Sequence, residues 1–199
     1  MQHELQYRVI LLVLFIAAFT MSEHFRGRAD KQHGKMSRRG DGAAFLVPQA
    51  IITLATFGWL LTYLIAPHWI AWSQVELPQW LRLAGAGLGV AAIVLFGWMF
   101  KHLGANVTAT AQTRPDAQLV TTGPYRWIRH PMYAFGLLWF LAIVVLTASW
   151  FIAVTSAAGF SFLLVRCRRE EANLIEKFGD EYRGYMQRTG RFFPRRRST

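Results

Sequence analysis

The chain has 199 residues, 53% of them hydrophobic, and carries a net charge of +11. Apolar and charged residues are segregated into blocks, which excludes one soluble core and points to an integral membrane protein. The basic residues flank the apolar runs, so the charge reads as positive-inside bias and not as a nucleic-acid surface; the single cysteine, Cys167, excludes an internal disulfide, and no Cys/His cluster has zinc spacing, so no metal is expected.

The first apolar run, Tyr7 to Met21, is not read as a cleaved leader. Its flank Met1 to Gln6 is not basic, no small-x-small site follows, and Glu23, His24, Phe25 and Arg26 come next. Spanning helices are expected near 7–22, 43–66 and 80–100, each close to the ~20 residues a span needs. The stretch Tyr133 to Val165 carries no charge. As one helix it reaches roughly 50 Å, which overshoots a hydrocarbon core of about 30 Å. Thr147, Ala148 and Ser149 offer a break, so the reading is a helical hairpin with spans near 132–147 and 149–166. Its second arm continues as a charged helix, Arg166 to Lys177. The expected fold is an all-α membrane protein of about five transmembrane helices, a single domain over 1–199.

Charge sets the orientation. The loop after the first span holds Arg26, Arg28, Lys31, Lys35, Arg38 and Arg39, and the tail holds Arg166, Arg168, Arg169, Arg183, Arg188, Arg191 and Arg195 to Arg197. The loop from Pro67 to Trp80 has no Lys or Arg. The basic segments are therefore expected in the cytoplasm, with the N-terminus outside. By parity, Lys101 to Arg129 and the C-terminal tail then share the cytoplasmic face.

Gly85, Gly87 and Gly89 lie inside an apolar helix with no preceding strand, so they read as close helix packing and not as a dinucleotide loop. The run from Gly123 to Tyr133 has an interfacial reading: Tyr125, Arg126 and Trp127 suit the headgroup level, and Pro131 suits a first helical turn. That reading does not account for His130. The orphan N–H groups of the helix start favour an anionic group, such as the carboxylate of an amino-acid cofactor. In the run from Arg166 to Tyr182, Arg166 and Glu170 are four apart; Gly179 would end the helix. The pair is either an intrahelical ion pair or two ligand-holding groups at the membrane boundary, and spacing leaves both open. Arg166 and Arg168 beside Cys167 could lower its pKa; an incidental residue at a helix exit is the plainer reading.

Two motifs carry a resemblance. Leu119-Val120-x-x-Gly123-Pro124-Tyr125-x-x-x-Arg129-His130-Pro131-x-Tyr133 resembles the central motif of the isoprenylcysteine carboxyl methyltransferases. Arg166-x-x-x-Glu170-Glu171-x-x-Leu174-x-x-x-Phe178-Gly179-x-x-Tyr182-x-x-Tyr185 resembles their C-terminal motif, and Thr189-Gly190-Arg191-x-x-Pro194 continues it. The likeness covers Asn106 to Pro194; membrane phospholipid and thiol methyltransferases share the layout. The resemblance implies S-adenosylmethionine as cofactor, with S-adenosylhomocysteine as product, bound on the cytoplasmic side by 104–133 and 166–194. It implies that Leu119, Val120, Tyr125, His130, Pro131, Met132, Tyr133 and Glu170 surround the cofactor and that Arg166 meets the acceptor carboxylate. Arg166 and His130 are then the candidate catalytic residues. Thr110 and Ala117 depart from the relatives, which can carry Gln and His there.

The implied function is methyl transfer to a lipophilic acceptor, an isoprenylcysteine-like carboxylate above others, or a thiol, amine or phospholipid. The implied location is multi-pass in a membrane, the inner membrane if the source is bacterial. Membrane sterol reductases that use NADPH share part of this architecture but need more spans. A non-catalytic scaffold binding anionic lipid through its basic loops is the remaining alternative.

Overall fold

The computed structural model describes residues 2–34, 43–106 and 118–195. Thr110, Ala117, Lys35, Arg38, Arg39, Arg196 and Arg197 lie outside the described residues. Among those described, the chain forms α1 (Gln2–His33), α2 (Ala43–Ile65), α3 (Gln79–Leu103), α4 (Pro131–Thr147) and α5 (Trp150–Arg188). Short 3-10 turns lie at Pro67–Ser73, Gly104–Asn106 and Gly123–Arg126. Four of the helices, all but α4, are long and apolar enough to cross a membrane. The protein is an all-α integral membrane protein. At 17 residues α4 reaches roughly 25 Å, close to the hydrocarbon thickness.

Helix α1 extends well beyond the expected 7–22. Hydropathy marks only its apolar stretch, while the backbone continues helical through polar residues that include an Arg26–Glu23 ion pair one turn apart. The break expected at 147–149 is present. Ala148 adopts φ 50°, which turns the chain between α4 and α5 at a cost of roughly 1–2 kcal/mol for a residue with a Cβ.

The described residues fall into two compact units. The first draws on Met1–Thr20, Gly42–Val94 and Gly136–Phe162. Its core gathers Tyr7, Leu11, Leu14, Trp59, Tyr63, Ile143, Leu146 and Ile152. Gly85 is a packing residue: a Cβ there would stand 2.9 Å from the Leu146 backbone nitrogen, so only glycine lets the two backbones approach. The loop before α3 is pinned to the α4–α5 turn. Val75 N donates to Ala148 O at 2.8 Å, and Ser149 Oγ donates to Ser73 Oγ at 3.2 Å. The α2–α3 connection and the α4–α5 turn therefore lie at the same end of this unit.

Arg82 is a buried cation inside an apolar helix, which composition did not single out. Its Nε donates to Leu146 O at 3.0 Å and an Nη to the Tyr63 hydroxyl at 3.0 Å; it pairs with Glu4 and lies 3.7 Å above the Tyr7 ring. A desolvated guanidinium is tolerable only when its donors and charge are matched in this way.

The second unit draws on Met21–Asp41, Leu95–Phe135 and Leu163–Thr199. Met99, Ile128 and Phe135 form its core, with Leu95, Phe96, Trp98 and Tyr125 packed against them.

Candidate functional site

All the chemically loaded residues of the two motifs fall in the second unit. The chain reaches α4 through an extended segment that pairs with the C-terminal residues. Gly190 N donates to Trp127 O at 3.0 Å, Arg129 N to Gly190 O at 2.8 Å, and His130 N to Arg191 O at 3.0 Å. His130 O then accepts from the amides of Tyr133 and Ala134, which places His130 at the start of α4, with Pro131 at the first helical position. A Cβ at Gly190 would fall 1.7 Å from Phe193 O, so the tail can fold back over this segment only with glycine there. The Tyr185 hydroxyl donates to Tyr125 O at 2.6 Å and fastens the same tail to the turn at Gly123–Arg126.

Helix α5 supplies the facing side chains. Gly179 adopts φ 53° and ψ −125°, so the helix is broken where the sequence predicts its end, and a last helical stretch follows. Ahead of the break, Glu170 and Glu171 are neighbours with different surroundings. Glu171, 5% exposed at the side chain, is wholly taken up by nitrogen partners: Arg129 Nε at 3.1 Å, His130 Nε2 at 3.2 Å and the Arg191 guanidinium. Burial alone would raise the Glu171 carboxyl; hydrogen bonds from His130, Arg191 and Arg129 overcome it and hold the group well below the ordinary carboxylate range. Arg129 also donates through Nη1 to Met186 O at 3.1 Å and to Thr189 O.

Glu170 lies at the other side of the imidazole. Its Oε2 is 3.7 Å from His130 Nδ1 and its Oε1 is 3.6 Å from Arg166 Nε, and the Tyr133 hydroxyl hydrogen-bonds the same carboxylate. The side chains of Glu170 and Arg166 are 17% and 14% exposed. Arg166 Nε is buried and donates to no acceptor among the described residues, because 3.6 Å is ion-pair distance and too long for a hydrogen bond. The expected intrahelical pair is therefore present, and it leaves Arg166 with donor capacity.

Of the residues expected at the site, the fold brings together His130, Tyr133, Arg166 and Glu170. Pro131 is fully buried at the helix start and Met132 is exposed. Tyr125 is half-buried and contributes its carbonyl to Tyr185. Leu119 and Val120 lie half-buried in the irregular segment ahead of Gly123. Cys167 is completely buried. Burial, followed by the Glu171 charge, pushes its thiol up to about 12, so the flanking arginines do not activate it. Sequence reasoning did not place Arg129, Glu171, Arg191 and Phe192 at the site. The first three stood in the quoted motifs, Arg129 and Glu171 directly beside residues that were chosen. Phe192 had no signal of its own, because only the fold-back of the tail brings its ring 6.1 Å from His130 and 6.3 Å from Tyr133. Among the described residues no His, Cys, Asp and Glu side chains are grouped to hold a metal ion.

Comparisons with known proteins bear on the family and the fold. The profile of the phospholipid methyltransferase family matches residues 80–181, just over half the chain. The human protein-S-isoprenylcysteine O-methyltransferase is 31% identical over 127 residues, covering 60% of this chain and 43% of the relative. A methanethiol S-methyltransferase from a Pseudomonas species is 26% identical over 186 residues, covering 84% of this chain and 70% of the relative. A solved eukaryotic intramembrane Ras methyltransferase, an isoprenylcysteine carboxyl methyltransferase, shares the fold with a TM-score of 0.60 and 21% identity, over 95% of this chain and 65% of its own. The chain thus spans about two fifths of the human relative's length. The resemblance read from the two motifs is borne out by these matches.

Proposed function

The chain belongs to the phospholipid methyltransferase family, and on that premise we propose that it is a membrane methyltransferase that uses S-adenosylmethionine and methylates a lipophilic acceptor. The acceptor group we favour is the carboxylate of an isoprenylcysteine-like molecule. The observation that carries this reading is the convergence of His130, Tyr133, Arg166 and Glu170, from two separated motifs, where α4 begins and α5 turns from apolar to charged.

The residues fit such a cofactor. Glu170 offers a carboxylate to its cationic or hydroxyl groups, the start of α4 suits its own carboxylate, and rings of His130 and Tyr133 flank the position. Leu119, Val120, Tyr125, Pro131 and Met132 are the further residues that the motif assigns around it. Bound there, S-adenosylmethionine supplies a methyl group on a positively charged sulfur and leaves as S-adenosylhomocysteine.

The chain's own part is binding, orientation and exclusion of water. A carboxylate acceptor is already ionised at neutral pH, so no strong base is required. Arg166, with its unspent donor, orients that carboxylate for in-line attack, and the buried surroundings keep water away. The apolar helices give a lipid tail access from the bilayer. On this reading the cofactor site and the C-terminus face the cytoplasm, the N-terminus faces outward, and all five helices cross the membrane, the inner membrane in a bacterium.

A thiol acceptor is the second reading, favoured by the similarity to the methanethiol S-methyltransferase over most of the chain. A thiol must lose its proton, and His130, with Nδ1 toward Glu170, is the group placed to take it.

Membranes containing the protein, supplied with methyl-labelled S-adenosylmethionine, should label a prenylcysteine analogue in preference to small thiols and phospholipids. Labelling of thiols alone would move the assignment to the second reading. Labelling of no acceptor would refute the methyltransferase reading.

A further inference from the structure

We propose that Phe192, carried by the folded-back C-terminal segment, completes with His130 and Tyr133 an aromatic wall that recognises the positive charge of the sulfonium, with Glu170 as the counter-charge. This rests on the S-adenosylmethionine reading above and adds a residue and a selectivity to it.

Three rings meet pairwise at this point. His130 and Tyr133 have centroids 5.6 Å apart, His130 and Phe192 6.1 Å, and Tyr133 and Phe192 6.3 Å. Their planes are inclined at 61°, 49° and 74°. Two of the pairs meet edge to face and the third is tilted, so no ring is sandwiched flat between the other two. An aromatic face carries negative potential and attracts a weakly hydrated cation; several inclined faces form the recognised receptor for such charges. A carboxylate stands beside them, since Glu170 Oε2 is 3.7 Å from His130 Nδ1. Glu171 does not compete for the cation, because Arg129 and Arg191 already neutralise it.

The position of Phe192 is held by the two residues before it. Arg191, the residue before it, pairs with Glu171, and its carbonyl accepts the His130 amide at 3.0 Å. Gly190 permits the tight turn that brings the segment over α4. A ring delivered with this much apparatus, half-buried against two site residues, has a use beyond filling space. The chemical consequence is selectivity. The sulfonium is positive and the thioether left after methyl transfer is neutral, so an aromatic wall favours the cofactor over its product and eases release.

The test is calorimetric titration of detergent-purified protein with S-adenosylmethionine and, separately, S-adenosylhomocysteine, for wild type, Phe192→Leu and Phe192→Tyr. Phe192→Leu should weaken the cationic ligand by about 2- to 30-fold and leave the neutral one within about twofold, while Phe192→Tyr, which keeps a ring, should preserve both. Equal loss for both ligands, or loss for neither, overturns the charge-recognition role while leaving the cofactor reading standing. If the wild type binds neither ligand, the cofactor reading itself has failed and this inference falls with it. Should the leucine variant not fold, the wild type decides: S-adenosylmethionine must bind more tightly than S-adenosylhomocysteine, and equal affinity overturns the proposal.

Discussion

His130 Nε2 stands 3.2 Å from Glu171 Oε1, and that contact ties the residue that opens α4 to the charged stretch of α5. The other ring nitrogen is 3.7 Å from Glu170, so the imidazole lies between consecutive carboxylates with different surroundings. Glu171 holds the architecture through Arg129 and Arg191. Glu170 keeps company with Arg166 and Tyr133 and is the one proposed to meet the cofactor.

Glu170→Ala and His130→Ala should each weaken S-adenosylhomocysteine binding. Loss of a hydrogen bond to a charged group costs about 1.5–3 kcal/mol, roughly 10- to 150-fold in affinity. Titration of both variants, after each is shown to be folded in detergent, checks this. Unchanged affinity in both removes the two residues from the site.

Glu171→Gln should act mainly on stability. Removing one partner of a buried ion pair leaves the others uncompensated and costs about 3–5 kcal/mol. The Glu171 carboxyl is depressed in the folded protein, so its contribution is fully present above the ordinary value of 4.5 and declines as pH falls through the lower, folded value. Thermal melts should therefore show a constant gap between wild type and variant from neutral pH down to about 5, and a shrinking gap below the ordinary carboxylate range. A gap that closes between pH 7 and 5 would contradict the assignment.

Arg166→Lys keeps the charge and loses the planar fork, so methyl transfer should fall while cofactor affinity stays nearly intact. If the residue served only the ion pair with Glu170, the change would cost at most ~0.5 kcal/mol of stability and leave turnover alone. Turnover at the wild-type rate would refute the acceptor-carboxylate role and favour a thiol or amine.

The orientation is open to thiol labelling once Cys167 has been replaced. Gln74→Cys should react with a membrane-impermeant reagent in intact cells, and Arg195→Cys should not. The reverse pattern would invert the topology.

Much of this arrangement was legible in the sequence, and the remainder had physical reasons to be hidden. Uninterrupted hydropathy located the apolar helices, and the local chemistry of Thr147-Ala148-Ser149 and Gly179 located two breaks that the structure contains. The helical spacing of Arg166 and Glu170 fixed their pairing, because a helix determines its own four-residue neighbours. Hydropathy did not find the true length of α1, since polar residues continue a helix as readily as they end a span. Pairings across long separations were invisible. Nothing local to Arg82 announces Glu4, Tyr63 and the Leu146 carbonyl, and nothing local to Phe192 announces His130. Glu171 was passed over for the same reason: adjacent glutamates read alike until the fold surrounds one with Arg129 and Arg191.

The central claim is that the cluster of His130, Tyr133 and Glu170 belongs to an S-adenosylmethionine site. It is tested most directly by titrating the purified wild-type protein with S-adenosylhomocysteine and, in a parallel cell, with NADPH. The account predicts saturable binding of S-adenosylhomocysteine and no heat from NADPH. Binding of NADPH with none of S-adenosylhomocysteine would contradict it.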